Sequence, residues 1–125
     1  MTAMNMAKTA YAMNQVPIRT SRGNEYEAFA RVTRRLKSNA DLGPEGFSRL
    51  AEALHMNRQL WTMLAADVAE AENALPRELR ARIFYLAEFT AQHSRKILKN
   101  EETVDVLVEI NTAVMRGLRT RSEAA

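Results

Sequence analysis

Cysteine is missing from the 125-residue chain, which excludes a disulfide framework, thiolate zinc sites, iron–sulfur clusters and cysteine nucleophiles. Proline and glycine are scarce, at three and four residues, so each one punctuates something. The glycines, at 23, 43, 46 and 117, are too scattered to build a phosphate-cradling loop. Aromatic residues make up only 6% of the chain. No apolar run approaches the roughly 18 residues of a membrane span. Met1 to Gln15 has no basic start followed by an apolar stretch, so it does not read as a signal peptide. A cytoplasmic protein with no membrane segment is expected.

What is present is helix-forming. Ala, Glu, Lys, Leu and Arg supply 62 of the 125 residues, against 20 of Val, Ile and Thr, the composition of long helices. A chain of this size makes one domain with an ordinary core. The net charge of +3 conceals a pattern. Residues 1–40 hold seven basic and two acidic side chains, 41–75 two and six, and 76–125 nine and seven. A nucleic-acid binder concentrates positive charge on one face, so net charge alone is weak evidence for one, and the acidic middle suggests a surface of mixed fields.

Periodicity and punctuation predict five helices. Met4 to Asn14 is a short first segment, with Met4, Ala7 and Tyr11 on one face and Met6, Ala10 and Met13 on its flank. At that length it must dock to persist, so residues 1–15 are expected to be mobile, followed by a loop holding Pro17 and Gly23. Thr20 is read as the N-cap of a helix over 21–39 that buries Tyr26, Phe29, Thr33 and Leu36. Gly43–Pro44 closes the next connection, and Pro44 suits a first helical position. Phe47, Leu50, Leu54, Asn57, Trp61, Leu64 and Val68 step by threes and fours, predicting an unbroken helix over 45–72 packed lengthwise on a neighbour.

Asn73 to Pro76 reads as a turn, with Pro76 opening a fourth helix to about 98. Leu79, Ile83, Leu86, Thr90, His93 and Ile97 line its inner face. Asn100 stands where a left-handed C-cap residue belongs. Thr103 is read as the cap of the last helix, whose stripe is Leu107, Asn111, Val114, Met115 and Leu118, with a frayed tail over 119–125. Short connections between long helices favour antiparallel neighbours. The expected architecture is all-α: a single-domain up-and-down bundle of four main helices plus the short N-terminal one.

No catalytic arrangement emerges, and no cofactor or metal is expected. Glu52 and His55 share a helix face, but one such pair is common by chance, and His93 sits on an apolar face where a satisfied core histidine is the plainer reading. Arg31, Arg34, Arg35 and Lys37 form the densest basic run, with 31, 34 and 35 on one face that could meet phosphate or an acidic partner. RNA binding by stacking needs exposed aromatics among such charges. The nearby Tyr26 and Phe29 face the core instead, which argues against RNA. Trp61, the only tryptophan, lies on its stripe as a core anchor would, with Arg58 beside it. Asn57 and Asn111 each interrupt an apolar stripe, and buried Asn is costly unless paired. Either they meet across the bundle or they line a groove for a partner. The seven methionines suit adaptable binding surfaces as well as cores.

Leu75 to Thr90, the His93–Ser94 pair, Leu107 to Leu118 and Asn57 to Trp61 together resemble the FlaF family, over a span from about Tyr11 to Leu118. Asn100 stands where many relatives have Gly. Members are flagellar biosynthesis regulators of bacteria, so the resemblance implies a non-enzymatic role with no small-molecule substrate. It implies binding of flagellin, to promote its synthesis and export as a chaperone would, alongside the FlbT regulator that restrains flagellin translation. Control through flagellin message or by sequestering FlbT is the alternative. Flagellin's terminal segments are amphipathic, and a bundle with an exposed groove could receive one as a helix. The residues expected to meet a partner are Tyr11, Asn57, Arg58, Trp61, Tyr85, His93, Asn111 and Arg116.

Overall fold

A computed structural model describes the backbone of residues 18–40 and 42–124. Four helices follow one another: α1 (Ile18–Asn39), α2 (Phe47–Val68), α3 (Arg77–Leu98) and α4 (Asp105–Ala124), with a 3-10 turn at Gly43–Gly46. The all-α bundle read from composition and period is the observed one. The N-terminal segment expected over Met4 to Asn14 lies outside the described residues. The helix expected from residue 21 already includes Ile18 to Thr20 and Gly23, so Thr20 is not its N-cap. A single glycine in a helix costs only about 1 kcal/mol, too little to stop it.

α1 packs against both α2 and α4, and α2 carries α3 on its other side. Pairings run antiparallel: Phe29 of α1 meets Trp61 of α2 edge-on, with ring centroids 5.6 Å apart. Farther along α1, the Arg35 guanidinium reaches Met56 Sδ at 3.2 Å. The alternation of helix direction places the start of α1, the end of α2 and the start of α3 at one end of the bundle. The core is built from Phe29, Leu36, Leu54, Trp61 and Leu107, all nearly inaccessible to solvent. Burial of aromatic and branched side chains contributes roughly 1.5–3 kcal/mol each, before chain entropy opposes it.

The helix ends have local causes. α1 closes as Asn39 Nδ2 donates to the Arg35 carbonyl at 2.9 Å. Gly43 then takes φ +67°, a backbone shape that side chains resist. Gly46 is buried against Leu42, where a Cβ would overlap the Leu42 side chain. α2 is shorter than the expected 45–72 at both ends. Its start is delayed by the 3-10 turn, in which Pro44 stands two residues after the N-cap Leu42. Its end is taken over by Asn73, whose amide donates to the Asp67 carbonyl at 3.2 Å while its Oδ1 accepts the Leu75 N–H at 2.9 Å. Such local bonds compete with the helical ladder.

Pro76 is the N-cap of α3, in extended geometry, and its carbonyl accepts the Arg80 N–H at 3.0 Å. At the far end Asn100 holds φ +62°, with Glu101 N–H bonded to the Lys96 carbonyl and Asn100 N–H to that of Ile97, both at 2.9 Å. This is the Schellman closure that the Asn100 position predicts. The Thr103 hydroxyl accepts the Asp105 N–H at 3.3 Å, one residue ahead of Val104, whose carbonyl takes the first α4 bond from Val108. α4 continues as helix to Ala124, beyond the Leu118 expected as its end, since Arg119 to Ala124 contains no breaker.

Candidate functional site

Two features stand out on this frame, one buried and one open. The buried one is a polar knot tying three helices. Asn111 of α4 accepts the Trp61 indole N–H of α2 at 2.9 Å. Its own amide donates to Asn57 Oδ1 of α2 at 2.8 Å and to Thr33 Oγ1 of α1 at 3.1 Å. The Thr33 hydroxyl in turn points to Met115 Sδ at 4.0 Å. Asn57 and Asn111 are 0% exposed and Trp61 1%. The two asparagines therefore meet across the bundle, the first of the two readings their positions allowed. In this packing Asn57, Trp61 and Asn111 present no surface to a partner, because all three are buried. Asn57 Nδ2 is buried with no hydrogen-bond partner, a cost that only a fixed helix register offsets.

His93 is likewise internal. Its Nε2 is 3.1 Å from the Thr103 carbonyl, and its ring stacks on Phe89 with centroids 5.3 Å apart. It pins the end of α3 to the connection into α4. Ser94 bonds the Thr90 carbonyl at 2.7 Å, inside the same helix.

The open feature is the first half of α3. All four buried residues of this helix, Thr90, His93, Ser94 and Ile97, lie in its second half. Leu79, Ile83 and Leu86, expected on the inner face, are only half-buried. Phe84 is 49% exposed and Tyr85 64%, and Phe89 is half-buried. With 3.6 residues per turn, Phe89, Leu86, Leu79, Ile83, Ala87 and Phe84 cover more than half the circumference of the helix. A helix so widely apolar belongs in an interior, yet here Ile83, Leu86 and Ala87 are half-buried against the core while Phe84 and Tyr85 stay exposed. Arg77 and Arg82 are exposed beside them, and Arg80 Nε is buried without a hydrogen-bond partner.

Of the other expected contact residues, Arg58 and Arg116 are exposed on α2 and α4, and Tyr11 lies outside the described residues. Among the described residues the other seven are not brought together: Asn57, Trp61 and Asn111 form one internal group, and Tyr85 belongs to the open face. Phe84 escaped sequence reading because it falls off the inner stripe, although Phe84–Tyr85 as an adjacent aromatic pair was a usable signal. Phe47 shows the converse, on its stripe but 51% exposed.

Arg31, Arg34, Arg35 and Lys37 are exposed, while Phe29 is buried and Tyr26 half-buried, so neither aromatic stands free among the charges. A shallow hollow of about 300 Å³ lies between α1 and α2, lined by Arg35, Ser38, Asn39, Arg49, Glu52 and Ala53. Among the described residues no group of three or more His, Asp or Glu side chains could hold a metal ion. No described helix is long and apolar enough to cross a membrane.

Comparison with curated proteins and with solved structures found no match. The family comparison did. The model of the family described as flagellar protein FlaF matches residues 7–118, a span that takes in the polar knot, the open half of α3 and the capped turn at Asn100. The chain belongs to the FlaF family of flagellar proteins.

Proposed function

We propose that this protein binds flagellin in the cytoplasm and promotes its synthesis and export, as a chaperone for the chain before secretion. The observation that carries this reading is the wide apolar arc on the first half of α3, with Phe84 and Tyr85 exposed, in a chain of a flagellar family. An amphipathic helix laid along that arc would bury aromatic surface, while Arg77 and Arg82 at its edge meet acidic positions of the guest. The action is by binding rather than catalysis.

The exposed run Arg31, Arg34, Arg35 and Lys37 favours a second reading, in which an anionic partner docks on α1. Flagellin message is one such partner, and an acidic patch of FlbT would be another. The two readings differ in salt dependence, because phosphate contacts weaken steeply with added salt while apolar docking does not. A pull-down of the full chain against monomeric flagellin, FlbT and flagellin leader RNA at low and moderate salt separates them. Salt-resistant capture of flagellin supports the first reading. Capture of RNA or FlbT alone, lost at moderate salt, replaces it with the second.

A further inference from the structure

The geometry points to a second copy of this chain as the occupant of the outward side of α3 in the partner-free protein, the two α3 helices lying antiparallel about a two-fold axis. Among the described helices α3 packs extensively on α2 alone, and its buried residues, Thr90, His93, Ser94 and Ile97, lie on the inward side. On the opposite side, at alternating steps of three and four, stand Glu78, Ala81, Tyr85, Glu88, Gln92 and Arg95. All six are exposed. Such alternation is the spacing of a seam between two lengthwise helices.

The stripe complements itself, which selects a second copy over an unrelated partner. A two-fold interface sets one patch against the same patch, so that wherever residue i meets j, j also meets i. Laying the stripe along its own reversed copy over its full length puts Glu78 opposite the partner's Arg95, Ala81 opposite the partner's Gln92, and Tyr85 opposite the partner's Glu88. Each contact occurs twice. Two Glu–Arg pairs close the ends, and two Tyr85 hydroxyls near the axis are placed to donate to a carboxylate. Phe84 borders the stripe on one flank and meets the partner's Ala91 there, which covers part of an exposed ring. A parallel pair would instead stack Glu78, Glu88 and Arg95 on their own kind. From 78 to 95 the seam runs about 26 Å. One helix pair of that length belongs with the small interfaces, below about 1,200 Å² in total, that make weak and reversible complexes. Where the flagellin reading holds, guest and second copy compete for Phe84 and Tyr85.

Sedimentation of the full chain at low salt, with no flagellin present, tests this. The parent should show a monomer–dimer equilibrium that shifts toward dimer as the protein is concentrated. Glu78→Arg and Arg95→Glu each turn two attractions into two repulsions at exposed positions, and each should weaken the dimer about tenfold or more. An equal mixture of the two variants should associate as the parent does, because both ends of the mixed dimer again set Arg against Glu. Variants that had merely lost their fold would not rescue each other. A parent that stays monomeric at millimolar concentration would overturn the proposal and leave the face to a different protein. So would a dimer that both single variants leave unchanged, or variants that fail to associate when mixed. Flagellin takes no part in the measurement, so its outcome and that of the flagellin reading fall independently.

Discussion

The Trp61 indole on α2 and the Asn111 side chain on α4 share a 2.9 Å hydrogen bond across 50 residues of sequence. Asn111 spends both amide hydrogens as well, on Asn57 and Thr33, so one side chain satisfies three helices. Its loss leaves several buried groups unpaired at once. Asn111→Leu is expected to destabilise by about 2–4 kcal/mol, since each orphaned buried group costs about 1–3. Urea denaturation checks this, and an unchanged midpoint would show the knot to be energetically idle.

Asn57 makes a sharper case, because its Oδ1 is used while its Nδ2 is not. A cycle of Asn57→Ala, Asn111→Ala and the double variant should give a coupling of about 0.5–3 kcal/mol. Additive effects would mean that the asparagines merely sit near each other.

The Schellman turn after α3 predicts a ranking at one position. Asn100→Ala should lower stability by about 1–2 kcal/mol, the cost of a left-handed residue with an ordinary Cβ. Asn100→Gly should be neutral or better. Thermal unfolding of the three proteins reads the order directly, and an Ala variant as stable as the parent would contradict the capping role.

Gly46 yields a test of steric detail. A Cβ there would strike Leu42 at its own Cβ, so Gly46→Ala should cost about 1–3 kcal/mol through forced overpacking. Shortening Leu42 to Ala should not rescue it, because the Cβ remains. Leu42→Gly in the same chain should. Rescue by the Ala change would place the conflict farther along the side chain.

Sequence pattern carried much of this architecture, and its failures are physical. The stripe from Leu54 to Val68 was legible because a lengthwise contact demands that period. The end of α2 was not, because it depends on where the Asn73 side chain finds partners. Asn57 and Asn111 announced themselves as misfits in apolar stripes. Their convergence on Trp61 and Thr33 needed the fold, since no local pattern encodes a contact across three helices. Periodicity also gives the direction of a side chain without saying whether a neighbour reaches that far. Phe47, Leu79 and Ile83 lie on correct stripes and still remain partly or largely exposed. The open face was therefore visible only once burial was known, and it is the feature on which the proposed flagellin binding rests.

The measurement closest to that claim is calorimetry of monomeric flagellin with the full chain and with its Phe84→Ser/Tyr85→Ser variant. Both positions are exposed, so the variant should fold with a stability change of about 0.5 kcal/mol or less. The parent should bind with a negative heat-capacity change from apolar burial. The variant should lose about tenfold or more in affinity, equivalent to about 1.4 kcal/mol. Equal affinity of the two proteins, or no complex with the parent at high micromolar concentration, would contradict the assignment of flagellin to the open face of α3.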